Sequence, residues 1–155
     1  MNFEEKIKKL ITESVGRNPE LFILDMNVSP DKNVQVTIDG YKAVPLSECI
    51  RITREVEEQM DREQDDFSLT VTTPDITQWF TDPRQLAKNK GRRLKVHTAS
   101  GETWEGTLVE LDDEKLVLED KVREPKPVGK GKHTVIKRYE IPLKEFDKAK
   151  VKIQF

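Results

Sequence analysis

The chain has 155 residues, 35% hydrophobic and 36% charged, with a formal net charge of -2 that divides into an acidic residues 1–80 (9 Lys or Arg, 16 Asp or Glu) and a basic residues 81–155 (18 and 13). That length allows one domain or two small ones, and no apolar run reaches the roughly 18 residues of a membrane span. One cysteine, Cys49, excludes an internal disulfide, and the acids and lysines of the first ten residues exclude an apolar signal segment, so the expectation is a cytoplasmic protein without a membrane anchor.

Asn2, with Glu5 three residues later, reads as a capping box. Phe3, Ile7, Leu10, Ile11 and Val15 recur at helical spacing before Gly16, which predicts a helix over residues 3–15. Residues 21–28 read as a strand with Phe22, Leu24, Met26 and Val28 on one face. Ser29 to Asn33 is turn-forming, and Val34, Val36 and Ile38 alternate in a second strand, so the two should pair as a hairpin. Ser47 is a good N-cap for a second helix over 47–60, with Cys49, Ile52, Val56 and Met60 on its apolar stripe. Phe67, Leu69 and Val71 alternate as a third strand. The order α-β-β-α-β describes a small domain in which two helices cover one sheet face.

Thr72, Thr73, Pro74 and Asp75 break the third strand, and Asp82-Pro83 makes a second break. Trp79 and Phe80 lie between them; packing at the domain join and a binding role are both open. Arg84, Lys88, Lys90, Arg92, Arg93 and Lys95 follow, with no acid between Pro83 and Gly101. Such a strip can neutralise phosphates without reading bases; a solvated junction is the alternative.

Strands then follow at Leu94–Thr98, Trp104–Leu108, Leu116–Leu118, Val135–Ile141 and Val151–Phe155, and Gly106 inside the second reads as a bend or bulge. Five short strands predict a small closed barrel. Residues 121–134, with two prolines, two glycines, Lys130 and Lys132, read as a basic loop that could order on nucleic acid. The fold class is α+β, with domains at 1–80 and 81–155.

The sequence carries little that reads as catalytic chemistry. His97 and His133 are far apart in sequence, no second cysteine completes a metal site, and no phosphate-binding glycine motif occurs. No enzyme and no metal or cofactor is expected.

The order and spacing of these elements resemble the ribosome maturation factor RimP family of bacteria over nearly the whole chain. The resemblance is carried by Val44-Pro45-Leu46-Ser47-Glu48-Cys49 and by the Thr72-Thr73-Pro74 connector. Gly91-Arg92, Trp104-Glu105-Gly106-Thr107-Leu108, Ile141-Pro142 and Lys148-Ala149 complete it. In the family's connector the glycine position is Asp75 here, and the acid, arginine and proline positions are Thr77, Gln78 and Trp79. The resemblance implies an α/β front domain, an Sm-like or SH3-like rear barrel and a non-catalytic factor without cofactor. It also implies as partners the immature small (30S) ribosomal subunit, its ribosomal RNA and a small-subunit ribosomal protein. A general RNA-binding or regulatory protein is the alternative, and a protein-binding scaffold is a third.

Overall fold

The computed structural model describes residues 2–61 and 66–153, and the chain divides into two units, Met1–Asp75 and Ile76–Phe155. The division precedes Trp79 and Phe80, which go with the second unit rather than closing the first.

In the first unit α1 spans Phe3–Gly16, with the Asn2 side chain accepting from the Glu5 amide at 2.8 Å. Strands β1 (Leu21–Val28) and β2 (Asn33–Gly40) pair antiparallel, and β3 (Ser68–Thr72) runs parallel to β2. A parallel neighbour needs a crossover, and α2 (Leu46–Gln59) supplies it. Ile7, Ile11, Val34, Val36, Ile38, Ile52 and Val56 are fully buried between helices and sheet. The expected face of β1 is corrected by a bulge between Ile23 and Asp25. One extra residue reverses the alternation. Leu21, Ile23, Met26 and Val28 therefore pack on the core, while the Phe22 ring sits 5.1 Å from that of Tyr41. Ser47 is not the N-cap of α2; the helix opens one residue earlier from extended Pro45, without a side-chain cap bond. Cys49 is buried, and burial, then the charge of Glu48, pushes its thiol upward, which fits a structural residue.

Arg51 ties the two helices together. It donates to Glu48 at 2.8 Å, to Glu55 at 3.1 Å and to the Ser14 carbonyl at 3.1 Å. Ser14 and Arg17 also donate to Glu55, and Asn18 donates to Glu48. Both carboxyls are held below the usual glutamate range: Glu48 chiefly by the bond from Arg51, then Asn18, and Glu55 chiefly by Ser14, then Arg51 and Arg17.

The second unit opens with a 3-10 segment, Pro83–Asn89, whose Leu86 is fully buried. Five antiparallel strands follow: β4 (Arg93–Thr98), β5 (Thr103–Leu111), β6 (Lys115–Pro125), β7 (Lys132–Pro142) and β8 (Phe146–Val151). Their order is β7-β6-β5-β4-β8. Leu94, Val96, Leu108, Leu116, Leu118, Ile141 and Ala149 form one inner face. The expectation of a closed barrel is corrected to an open sheet. Its two edges, β7 and β8, are joined by the short turn Leu143–Glu145. Four residue steps reach at most about 14 Å, less than the roughly 19 Å width of a flat five-stranded sheet, so the sheet must curl. The sheet is not closed, and the outer edge of β8 is met at Ala149 by Phe80. Its amide donates to the Ala149 carbonyl at 2.7 Å, and its carbonyl accepts from the Ala149 amide at 2.9 Å.

Three further expectations change. The basic loop over 121–134 is mostly strand: β6 and β7 stay in register from Lys115–Pro142 to Pro125–Lys132. The last strand lies earlier than Val151–Phe155, with Ile153 half exposed and Phe155 outside the described residues. Gly106 lies in regular register opposite Leu94, and the bulge comes later, between Leu108 and Glu110. Glycine is needed there because a Cβ would sit 2.8 Å from the Glu119 carbonyl oxygen of β6.

Gly106→Ala therefore should destabilise the second unit by about 1–3 kcal/mol through forced separation of β5 and β6, read by urea denaturation. For Glu48 and Glu55, lowered folded values mean stability that is complete above the ordinary glutamate range and lost as pH falls through the lowered values. Glu55→Gln should flatten that acid limb in a stability-against-pH series followed by circular dichroism.

Candidate nucleic-acid interface

Strand alternation sets the outer surface of the second unit. Leu94, Val96 and Thr98 of β4 are buried, so Arg93, Lys95 and His97 face outward. On β8, Ala149 is buried and its neighbours Lys148 and Lys150 face outward. The register places Lys150 opposite Lys95 and Lys148 opposite His97. Directly opposed residues have Cβ atoms about 4.5–5.5 Å apart, so three lysines and an imidazole share one patch. Trp79 borders it, with the Lys148 Nζ 4.8 Å and the Lys150 Nζ 5.2 Å from its ring centroid. His97 is bonded through Nδ1 to the Thr103 hydroxyl at 3.0 Å.

Opposite charge is near but engaged. Glu105 lies across from Lys95 on β5, yet its carboxylate meets Lys152 at 3.2 Å and Arg93 at 3.8 Å. Among the described residues no ion pair involves Lys95, Lys148 or Lys150. Like charges held this close repel one another, a cost that a polyanion removes.

The residues of the predicted strip over 84–95 differ in exposure and partners. Arg84 is held by Asp82, just outside the acid-free run, with Nη2 2.7 Å from Oδ2 and Nε 3.1 Å from Oδ1. That bond is the first cause holding the Asp82 carboxyl below its usual range. Arg93 donates to Asp120 of β6 at 2.9 Å and so ties strands together. Lys88 is half-buried at the end of the 3-10 segment. Lys90 and Arg92 are exposed at the turn around Gly91, with the Arg92 Nη1 on the Asn89 side chain at 3.1 Å. Only Lys95 joins the patch on β8.

Lys130 and Lys132 lie elsewhere, at the tip of the β6–β7 ribbon. Beyond Glu119, β6 pairs with β7 alone, and the tip turns through Gly129 and Gly131 at positive φ. Both lysines are exposed, on the strand pair at the opposite edge of the sheet from β8. Lower on the ribbon the cations are paired: Lys137 meets Glu124 at 2.8 Å and Arg138 meets Glu110 at 2.8 Å.

Of the connector, Thr72 ends β3, Thr73 and Asp75 are exposed and Pro74 is half-buried. Phe80 is drawn into the second core, 6.3 Å from Phe146. Lys148 and Lys150 join the candidate patch from outside the predicted strip. Their signal is legible in Lys148-Ala149-Lys150-Val151-Lys152, a cation at every second position, in a strand that begins at Phe146 and not at Val151. Among the described residues no three His, Cys, Asp or Glu side chains gather as a metal site, and no helix is long and apolar enough to cross a membrane.

No family model matches the chain. Curated relatives do. A ribosome maturation factor RimP of Christiangramia forsetii is 39% identical over 152 residues, 98% of this chain and 99% of its own length. One of Flavobacterium psychrophilum is 37% identical over the full length of both. One of Porphyromonas gingivalis is 27% identical over 125 residues, 81% of each.

The geometry separates cations that hold the sheet from cations left to a ligand. Arg93→Ala should lower stability by roughly 1–2 kcal/mol, because it frees a half-buried carboxylate. Lys150→Ala should change it by less than about 0.5 kcal/mol. Urea denaturation of the two variants checks both.

Proposed function

This chain belongs to the ribosome maturation factor RimP family, and from that premise we propose that it is a non-catalytic factor that binds the immature small ribosomal subunit in the cytoplasm and assists its maturation. It contacts ribosomal RNA through the second unit and a small-subunit ribosomal protein, and it uses no cofactor. The observation that carries the RNA contact is the Lys95–Lys148–Lys150 patch, whose ammonium groups are outward, adjacent and unpaired with acids among the described residues.

Such a patch binds phosphates by releasing their counterions, a term that is strong, reversible and indifferent to sequence. Those properties suit a factor that must hold folding RNA and then leave. Lys90 and Arg92 at the Gly91 turn and Lys130 and Lys132 at the tip of the β6–β7 ribbon are further exposed cations of the same unit. The first unit has the opposite character. Residues 1–75 hold 9 basic and 16 acidic residues, which favours a basic protein partner and repels RNA. Two units of opposite charge thus engage two kinds of ligand in one particle.

Co-sedimentation tests this reading. The protein should travel with immature small subunits and be absent from mature ones. Lys95, Lys148 and Lys150 all changed to alanine should weaken that recovery. The slope of log affinity against log salt should fall by about 2, on the order of 0.7 for each lost phosphate contact. Equal recovery with mature small subunits, or salt-independent binding, would overturn the proposal.

A further inference from the structure

The residue next to Phe80 has no part in the core, and its position is nonetheless tightly set. Both main-chain hydrogen bonds of Phe80 to Ala149 hold the connector along the outer edge of β8. Phe80 turns inward and is buried. Trp79, one residue earlier, lies on the outward side, where the ammonium groups of Lys148 and Lys150 reach its ring. The indole keeps 37% of its surface in solvent. Lys95 and His97 continue the same face on β4, and Asp147, at the β8 bulge, is the acid nearest along that strand.

From this arrangement we infer that Trp79 is a stacking platform for an unpaired RNA base, with Lys148, Lys150 and Lys95 holding the phosphates on either side of it. The two ammonium groups lie over the part-exposed indole, and when they turn to the phosphates of a bound strand they neutralise its backbone and leave the ring to an unstacked base. Bases within a duplex are already stacked and do not reach the ring. The site therefore selects single-stranded segments, loops and bulges over helices. The inference rests on the RNA contact proposed above and adds the class of RNA that it takes.

The test uses the full chain carrying Trp104→Phe, which leaves Trp79 as the sole tryptophan and keeps an aromatic ring against Tyr139. A short single-stranded oligoribonucleotide should quench Trp79 fluorescence as it binds, and a duplex of equal length should bind without quenching. In anisotropy titrations with labelled RNA, Trp79→Ala should lose about 5- to 150-fold in single-strand affinity, the range carried by one base stack. Its duplex affinity should change by less than about twofold, and Trp79→Phe should keep most of the single-strand affinity, because a smaller π-face remains. Tight single-strand binding that leaves Trp79 unquenched would overturn the stacking site and leave the RNA contact standing. So would an equal loss on both RNAs in Trp79→Ala. If the parent chain binds neither RNA in a salt-dependent way, the RNA contact itself fails, and the stacking site with it.

Discussion

The main-chain pair between Phe80 and Ala149 decides what β8 does with its outer edge. An edge strand presents unpaired amides and carbonyls that must be satisfied or covered. At Ala149 both groups are used by Phe80. The other edge of the curled sheet is β7. The same pair turns Phe80 into the core and leaves Trp79 beside Lys148 and Lys150. One two-bond contact across 69 residues of sequence thus links sheet topology to the make-up of the outer surface.

Charge in the second unit follows a second rule. Many of its cations are spent on the sheet itself. Arg93 crosses to Asp120, Lys115 to Glu140, Lys137 to Glu124 and Arg138 to Glu110 and Glu119. The exposed pairs each contribute little to stability, the half-buried Arg93–Asp120 pair more, and each draws a cation toward an acid and away from the field that a polyanion would meet. Among the described residues, Lys95, Lys148 and Lys150 remain unpaired with acids and adjacent on β4 and β8, at the edge the connector meets. Position in the sheet, more than position in the sequence, therefore decides which lysines face a ligand.

The first unit is built on a different economy of charge. Arg51, set between two helices, gathers Glu48, Glu55 and the Ser14 carbonyl, so part of the acidity of α2 serves helix packing. The apolar stripe beneath it, Ile52 and Val56, is fully buried. The acidity beyond that cluster gives the unit its net negative field, and the contrast with the second unit arises within a single chain of near-zero net charge.

Sequence alone determined the α+β class, the order of the elements, most core positions and the family, because periodicity and turn chemistry are local and survive without a structure. Leu94 and Val96, Val34 and Val36, Ile52 and Val56 were all legible as buried from their spacing. Tertiary structure decided the rest. The bulge after Ile23 reversed one strand's faces, and the close approach of Glu119 explained Gly106. The long β6–β7 pairing replaced a loop, and Asp82 and Asp120 withdrew Arg84 and Arg93 from the basic strip. Each of these depends on register or on a partner distant in sequence. A pattern of period two says which residues share a face; it cannot say which strand lies alongside. That is why Lys95 could be read as a cation and not as the neighbour of Lys150, and why Trp79 became part of a site only once Phe80 had been paired with Ala149.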